Sequence, residues 1–288
     1  MPSRIDAHHH VWDLSVRDQP WTAELPALRR SFGLAELKPQ LASAGIGATV
    51  VVETINVAAE TPELLALSAV EPVIAGVVGW VRLTCPDVAS RLAELKAGTG
   101  GERLVGLRHQ VQGEPDPDWL DRTDVRTGLA AVADLGLTFD LLVRPEQLPA
   151  AVRLVRSLPD LRFVLDHAGK PQIARGDLEP WRTQVAELAQ SPNVAVKLSG
   201  LVTEAAPGWT AQTLVPYAQV LLHHFSPDRI LFGSDWPVCV LAADYQRVAQ
   251  VAAELVEQLS PDEQAGVFGA NAMHWYGLVD IGSVGQPA

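Results

Sequence analysis

Apolar positions along the chain alternate between two patterns. Short runs rich in Val, Ile and Leu occupy 5–11, 48–54, 73–81, 104–111, 138–143, 162–167, 194–199 and 230–235. They are nearly continuous rather than strictly alternating, as parallel strands covered on both faces are. Between them, 35–44, 62–70, 87–96, 123–135, 145–157, 177–190 and 211–225 carry apolar residues at helical spacing, and 240–258 follows the last run. Asp87 and Ser226 sit beside proline and mark turns or helix starts. Strand–helix alternation implies right-handed crossovers and a parallel sheet. Eight such units close a barrel, so the pattern predicts an α/β fold, a single-domain (β/α)8 TIM barrel over 1–279. The small and polar residues of 280–288 predict a loose terminus. A doubly wound sheet is the competing architecture. It normally carries a Gly-rich phosphate turn, and neither G-x-G-x-x-G nor G-x-x-x-x-G-K-[ST] occurs.

Composition narrows the function classes. With 288 residues, 48% of them hydrophobic, the chain can bury a full core. It has 22 Lys+Arg against 34 Asp+Glu, a net charge of −12, which lacks the cationic footprint of a nucleic-acid binder. No apolar run approaches the roughly 18 residues of a membrane helix. The N-terminus is polar and has no signal-peptide core, and Cys85 and Cys239 do not make a disulfide framework. A cytoplasmic globular protein without nucleic-acid or membrane partners is expected.

Barrel chemistry collects where strands end, so polar residues at those ends carry information. Strand one ends Ile5-Asp6-Ala7-His8-His9-His10. Side chains alternate along a strand, which puts His8 and His10 on one face and His9 on the other. Two imidazoles so placed can converge on one ion or one substrate atom, whereas His9 is expected to pack. Strand four ends in Arg108 and His109, strand six in Asp166 and His167 with Lys170 beyond, and strand eight in Asp235. Glu53, Asp140 and Lys197 add polar positions on strands two, five and seven. His223, His224 and His274 fall in helical or C-terminal stretches and are expected to pack or face solvent. Imidazoles from two strands with a final carboxylate suit a divalent metal such as zinc, and the carboxylate can also act as base toward water.

The segments IDAHHHVW (5–12), GLRHQVQGEPDP (106–117), LDHAGKP (165–171), KLSGLVTE (197–204), LFGSDWPV (231–238) and NAMHWYGL (271–278) together resemble the amidohydrolase superfamily. More closely they are similar to its amidohydrolase-2 TIM-barrel hydrolases, the group of the L-fuconolactonases and L-rhamnonolactonases. H-x-H alone is a weak sign; six segments in this order, spanning nearly the whole chain, are a strong one. The resemblance implies His8 and His10 as the first-strand pair, His167 as the later histidine and Asp235 as the carboxylate that activates water. It implies His8, His10, His167 and Asp235 as ligands of one metal, and Arg108, His109 and Lys170 as holders of substrate oxygens. The fifth strand departs from the wider superfamily, since 138–142 has no metal-bridging Lys or His. One metal or none is therefore expected. Without metal, His8, His10 and His167 would polarise the carbonyl themselves.

The implied chemistry is hydrolysis of a sugar lactone. Asp235 takes a proton from water, the water attacks the carbonyl, and His10, His167 or zinc stabilises the oxyanion. Trp12, Trp80, Trp209 and Trp236 lie near strand ends, where Trp12 and Trp236 are candidates to stack on a sugar ring and loop packing is the alternative. The competing reading is a hydrolase of dicarboxylate lactones, or a decarboxylase, on the same scaffold. A dianion calls for several arginines, and Arg82, Arg108 and Arg144 are the candidates. A non-catalytic sugar-binding barrel would not need the His pair and Asp235 together. Serine-hydrolase and zinc-protease chemistry lack their motifs, G-x-S-x-G and H-E-x-x-H.

Overall fold

A computed structural model describes residues 4–278; the expected tail at 280–288 lies outside the described residues. Eight strands, β1 (Arg4–His9), β2 (Ile46–Val52), β3 (Ile74–Gly79), β4 (Leu104–His109), β5 (Thr138–Leu141), β6 (Arg162–Leu165), β7 (Val194–Leu198) and β8 (Ile230–Phe232), form one sheet in chain order. Every neighbouring pair is parallel. The sheet closes beyond the end of β8: the Asp235 amide donates to His8 O at 2.8 Å, and the His10 amide to Trp236 O at 2.7 Å. The chain is a TIM barrel.

Two apolar layers hold it. Inside the barrel, Ile5, Ala7, Ala48, Val50, Val52, Val78, Val105, Val164, Ala195 and Leu231 pack with Trp275 and Tyr276 of the C-terminal helix Asn271–Tyr276. That helix closes the amino-terminal end, where Thr138 Oγ1 donates to Trp275 O at 2.7 Å. Outside, the larger cluster lies between sheet and helices, as the nearly continuous apolar strands require.

The strands stop two or more residues short of several predicted ends. On β6 and β8 the polar residues read as strand ends have left the ladder. His167, Ala168, Lys170 and Asp235 lie at φ 50°, 53°, 53° and 56°, the left-handed region disfavoured for residues with a Cβ. Such strain persists only where surrounding structure over-determines it, and it concentrates at functional sites. Here it turns His167 and Asp235 toward the mouth. On β1 the pairing with β2 shifts register between Asp6 and His9. Asp6 consequently parts from the inward histidines: its carboxylate accepts from the Ser234 amide at 2.8 Å and from Tyr245 Oη at 3.0 Å.

Candidate active site

Three imidazoles converge on one carboxylate oxygen. Asp235 Oδ1 lies 3.4 Å from His10 Nε2, 3.8 Å from His8 Nε2 and 3.9 Å from His167 Nε2. His8 Nε2 and His10 Nε2 are 3.2 Å apart. All four side chains are buried. His10 Nδ1 donates to Val52 O at 2.8 Å, which leaves its Nε2 a free lone pair. His167 Nδ1 pairs with Ser199 Oγ at 2.9 Å. His9 turns the other way and meets Thr49 Oγ1 at 2.9 Å.

Two glycines make room for this convergence. A Cβ on Gly200, already at φ +67°, would stand 2.8 Å from the His167 ring; one on Gly233 would stand 2.7 Å from His8 Cβ.

Beneath the imidazoles lies a layer of buried charge that the sequence marked only as isolated polar positions. Arg108 Nε donates to Glu53 Oε1 at 2.8 Å and Nη1 to Asp166 Oδ2 at 3.1 Å, while Nη2 bonds Glu53 O. The Lys197 ammonium lies 2.6 Å from Asp140 Oδ2, 2.9 Å from Asp166 Oδ1 and 2.9 Å from His8 Nδ1. Tyr276 Oη, rising from the plug, donates to Asp140 at 2.9 Å. Three acids and two cations thus share the interior, an arrangement in which removing either cation strands a buried charge.

Burial sets the protonation states. It pushes Glu53 up to about 7 despite Arg108, and Asp140 up to about 6 despite Lys197. Burial also raises Asp166, but Lys197, His8 and Arg108 outweigh it and hold that carboxyl well below the usual range. His8 is driven well below an ordinary imidazole by burial and then by Lys197, and burial brings His167 down to about 4. At Asp235 the desolvation that favours the acid is outweighed by the imidazoles, His167 foremost, and the carboxyl is held low. At neutral pH the site therefore presents an ionised Asp235 beside uncharged His8 and His167.

The donor set fits a single zinc ion. Tetrahedral zinc with bonds of about 2.0–2.1 Å needs donors about 3.3 Å apart, and the distances from 3.2 to 3.9 Å above are of that size. His8, His167 and Asp235 offer ligand atoms within 4.8 Å of one another. A second constellation, His8, Asp140 and Asp166, also brings its ligand atoms within 4.8 Å of one another. The Lys197 ammonium already sits among its atoms, filling by covalent attachment the place a second cation would take.

Above Asp235 opens a cavity of about 310 Å³. His10, Arg108, His167 and Asp235 form its reactive wall, and Lys170, Gln110, Gln112 and Thr54 add polar groups. Lys170 Nζ lies 3.5 Å from Glu204 Oε1, another lining residue. Other expected site residues are not brought there. His109 is tied to Trp80 Nε1 at 3.0 Å and Glu114 Oε1 at 2.7 Å and stacks on Trp119 at 4.2 Å. Trp12 donates to Arg30 O at 2.6 Å, and the fully buried Trp236 packs edge-on against Phe32. The tryptophan lining the cavity is Trp21, from the turn Pro20–Thr22, with its ring 5.5 Å from Trp12. It lies in a long loop after β1, where a reading of strand ends does not look. Of the three arginines considered for a dianion, Arg108 alone lines the cavity. A larger groove, about 830 Å³, runs beside the helices Glu60–Val70 and Val88–Ala97 and includes Arg82. None of the converging imidazoles lines it, so the smaller cavity is the better candidate for chemistry.

Comparison with known proteins agrees in fold and family. A model of the amidohydrolase family matches residues 5–278. The chain is 39% identical over 281 residues to an L-fucono-1,5-lactonase of Burkholderia ambifaria, covering 96% of each. It is 39% identical over 288 residues to the L-fucono-1,5-lactonase of Burkholderia multivorans, again covering 96% of each. A crystal structure of an amidohydrolase from Burkholderia multivorans with bound zinc superposes with a TM-score of 0.90 at 39% identity, covering 96% of this chain and 100% of that one.

Proposed function

The chain belongs to the amidohydrolase family, and from that premise we propose that it is a lactonase that opens a small neutral sugar lactone, with L-fucono-1,5-lactone the first substrate to try. The observation that carries this reading is the convergence of three imidazoles on the ionised Asp235 at the floor of a cavity of about 310 Å³. The lactonase relatives supply the substrate class.

Asp235 is the base. Its carboxylate takes a proton from a water in the cavity as that water attacks the lactone carbonyl, and returns it to the ring oxygen as the ester opens. The imidazoles of His8 and His167 face the developing oxyanion, where fixed donors in a buried site count most. The residues that would hold zinc are His8, His10, His167 and Asp235, and the chemistry it supplies when bound is Lewis-acid polarisation of a carbonyl oxygen. Gln110, Gln112 and Lys170 offer polar contacts to sugar hydroxyls, and Trp21 offers a face to the ring.

A panel of aldono-lactones with a pH-indicator readout, run with and without a chelator, tests the reading. Acid release from at least one neutral sugar lactone, far faster than from amides or phosphate esters, is the expected result. Release of CO₂ from aromatic carboxylates with no lactone opened would overturn it. The chelator arm separates what bound metal adds from what the side chains do alone.

A further inference from the structure

We propose that Lys197 is a positioning residue that holds His8 as its Nε2–H tautomer, so that the metal-free site presents His8 as a hydrogen-bond donor and zinc binds against that preference. A neutral imidazole carries one proton, and it can accept a hydrogen bond at one nitrogen only. Two cations face the ring of His8. The Lys197 ammonium, which can only donate, lies 2.9 Å from Nδ1; Arg108 Nη1 lies farther, 3.3 Å from Nε2, and divides its two hydrogens between that contact and Asp166 Oδ2 at 3.1 Å. The closer contact makes Nδ1 the acceptor and places the proton on Nε2.

His10 agrees with that placement. Its Nδ1 proton is committed to Val52 O, so its Nε2, 3.2 Å from His8 Nε2, is a lone pair able to take the His8 proton in a hydrogen bond. Asp166 supplies the alternative. Its Oδ1 is fully buried, 3.3 Å from His8 Nδ1 and 2.9 Å from the Lys197 ammonium, and a carboxylate oxygen can accept from both. It is the acceptor the Nδ1–H tautomer needs. Metal-ligating histidines normally donate their other N–H to such a carboxylate. Binding at Nε2 therefore requires the imidazole proton to sit on Nδ1 opposite Asp166, with Lys197 turned away. The ring neither gains nor loses a proton in the exchange.

The proposal does not depend on which lactone is opened, and neither readout below involves turnover. Nitrogen-15 spectra of metal-free wild-type protein labelled at histidine, with His8 assigned by its absence in His8→Gln, should show His8 protonated at Nε2. In Lys197→Met the proton should move to Nδ1. Because that change strands buried acids, Lys197→Met combined with Asp140→Asn removes one charge of each sign and keeps the balance. Zinc affinity of the folded double variant, measured by competition with a chromophoric chelator, should rise roughly tenfold to a hundredfold, the scale of one charge-assisted hydrogen bond. An ordinary supporting role for Lys197 predicts the opposite sign, a loss of about 10–100-fold. Wild-type His8 protonated at Nδ1, or a folded double variant with unchanged or weaker zinc affinity, overturns the proposal.

Discussion

Three single side chains yield sharp expectations, one for the chemistry and two for stability. Asp235→Asn keeps the shape but cannot take a proton. It should lower kcat by about two to four orders of magnitude, with substrate binding and melting temperature little changed. A folded variant with near-normal kcat on its best lactone would take Asp235 out of the mechanism. Arg108 bridges Glu53 and Asp166 in the dry interior. Arg108→Met should cost about 3–5 kcal/mol in urea unfolding, because buried Glu53 loses its cation and Asp166 keeps only Lys197. The deficit should shrink as pH falls, since Glu53, at about 7 even with Arg108 beside it, then takes up a proton. His9 faces away from the candidate catalytic cluster, and burial pushes it from 6.5 down to about 3. Its uncharged ring favours the fold above pH 6.5, and that contribution is lost as pH falls from 6.5 toward 3. His9→Gln should accordingly unfold with a shallower acid slope, by at most about 1.4 kcal/mol per pH unit. An unchanged slope would place the acid sensitivity elsewhere.

At the level of elements, the site depends on where strands stop. β6 and β8 end at Leu165 and Phe232, and left-handed residues then aim His167 and Asp235 into the mouth. Gly200, in the turn after β7, lets the His167 ring pass. Gly200→Ala brings a Cβ to 2.8 Å from that ring at φ +67°. It should cost about 1–3 kcal/mol of stability. It should also lower kcat by tenfold or more, since small displacements of a reacting group are expensive. Gly208→Ala is the matched control, also at positive φ (+83°) but with nothing within 4 Å of the new Cβ. It should cost only the backbone strain, about 1 kcal/mol, and leave turnover intact. Equal losses of activity in the two variants would show that backbone strain, not the His167 contact, is responsible.

The whole molecule joins the helix that closes the amino-terminal end to the candidate site at the mouth through polar contacts inside the barrel. Tyr276 Oη bonds Asp140, Asp140 bonds Lys197, and Lys197 reaches His8. The C-terminal helix is thus tied to the site as well as to the apolar core. Tyr276→Phe removes only the hydroxyl from this chain. It should leave Asp140 with one fewer donor and cost about 1–3 kcal/mol by urea unfolding. A cost near zero would mean that another group takes up the freed carboxylate oxygens.

The sequence by itself determined the barrel. Eight apolar runs separated by helix-spaced stretches specify units that can bury their faces in few other ways, and burial periodicity is a local property of the chain. The pairing of His8 with His10 was legible for the same reason, since strand alternation is local, and the family resemblance carried by six segments implied His167 and Asp235 beside them. Tertiary structure decided which of the remaining polar residues meet. Glu53, Arg108, Asp140, Asp166 and Lys197 come from five different strands or strand ends, and only closure of the barrel makes them one buried cluster. His109, Trp12 and Trp236 lie in the right segments, but loop packing claims their polar and aromatic faces, while Trp21 reaches the cavity from a turn with no strand signal. A strand fixes the side its residues face within two positions; a loop fixes it only through what it packs against, and that is written across the whole chain.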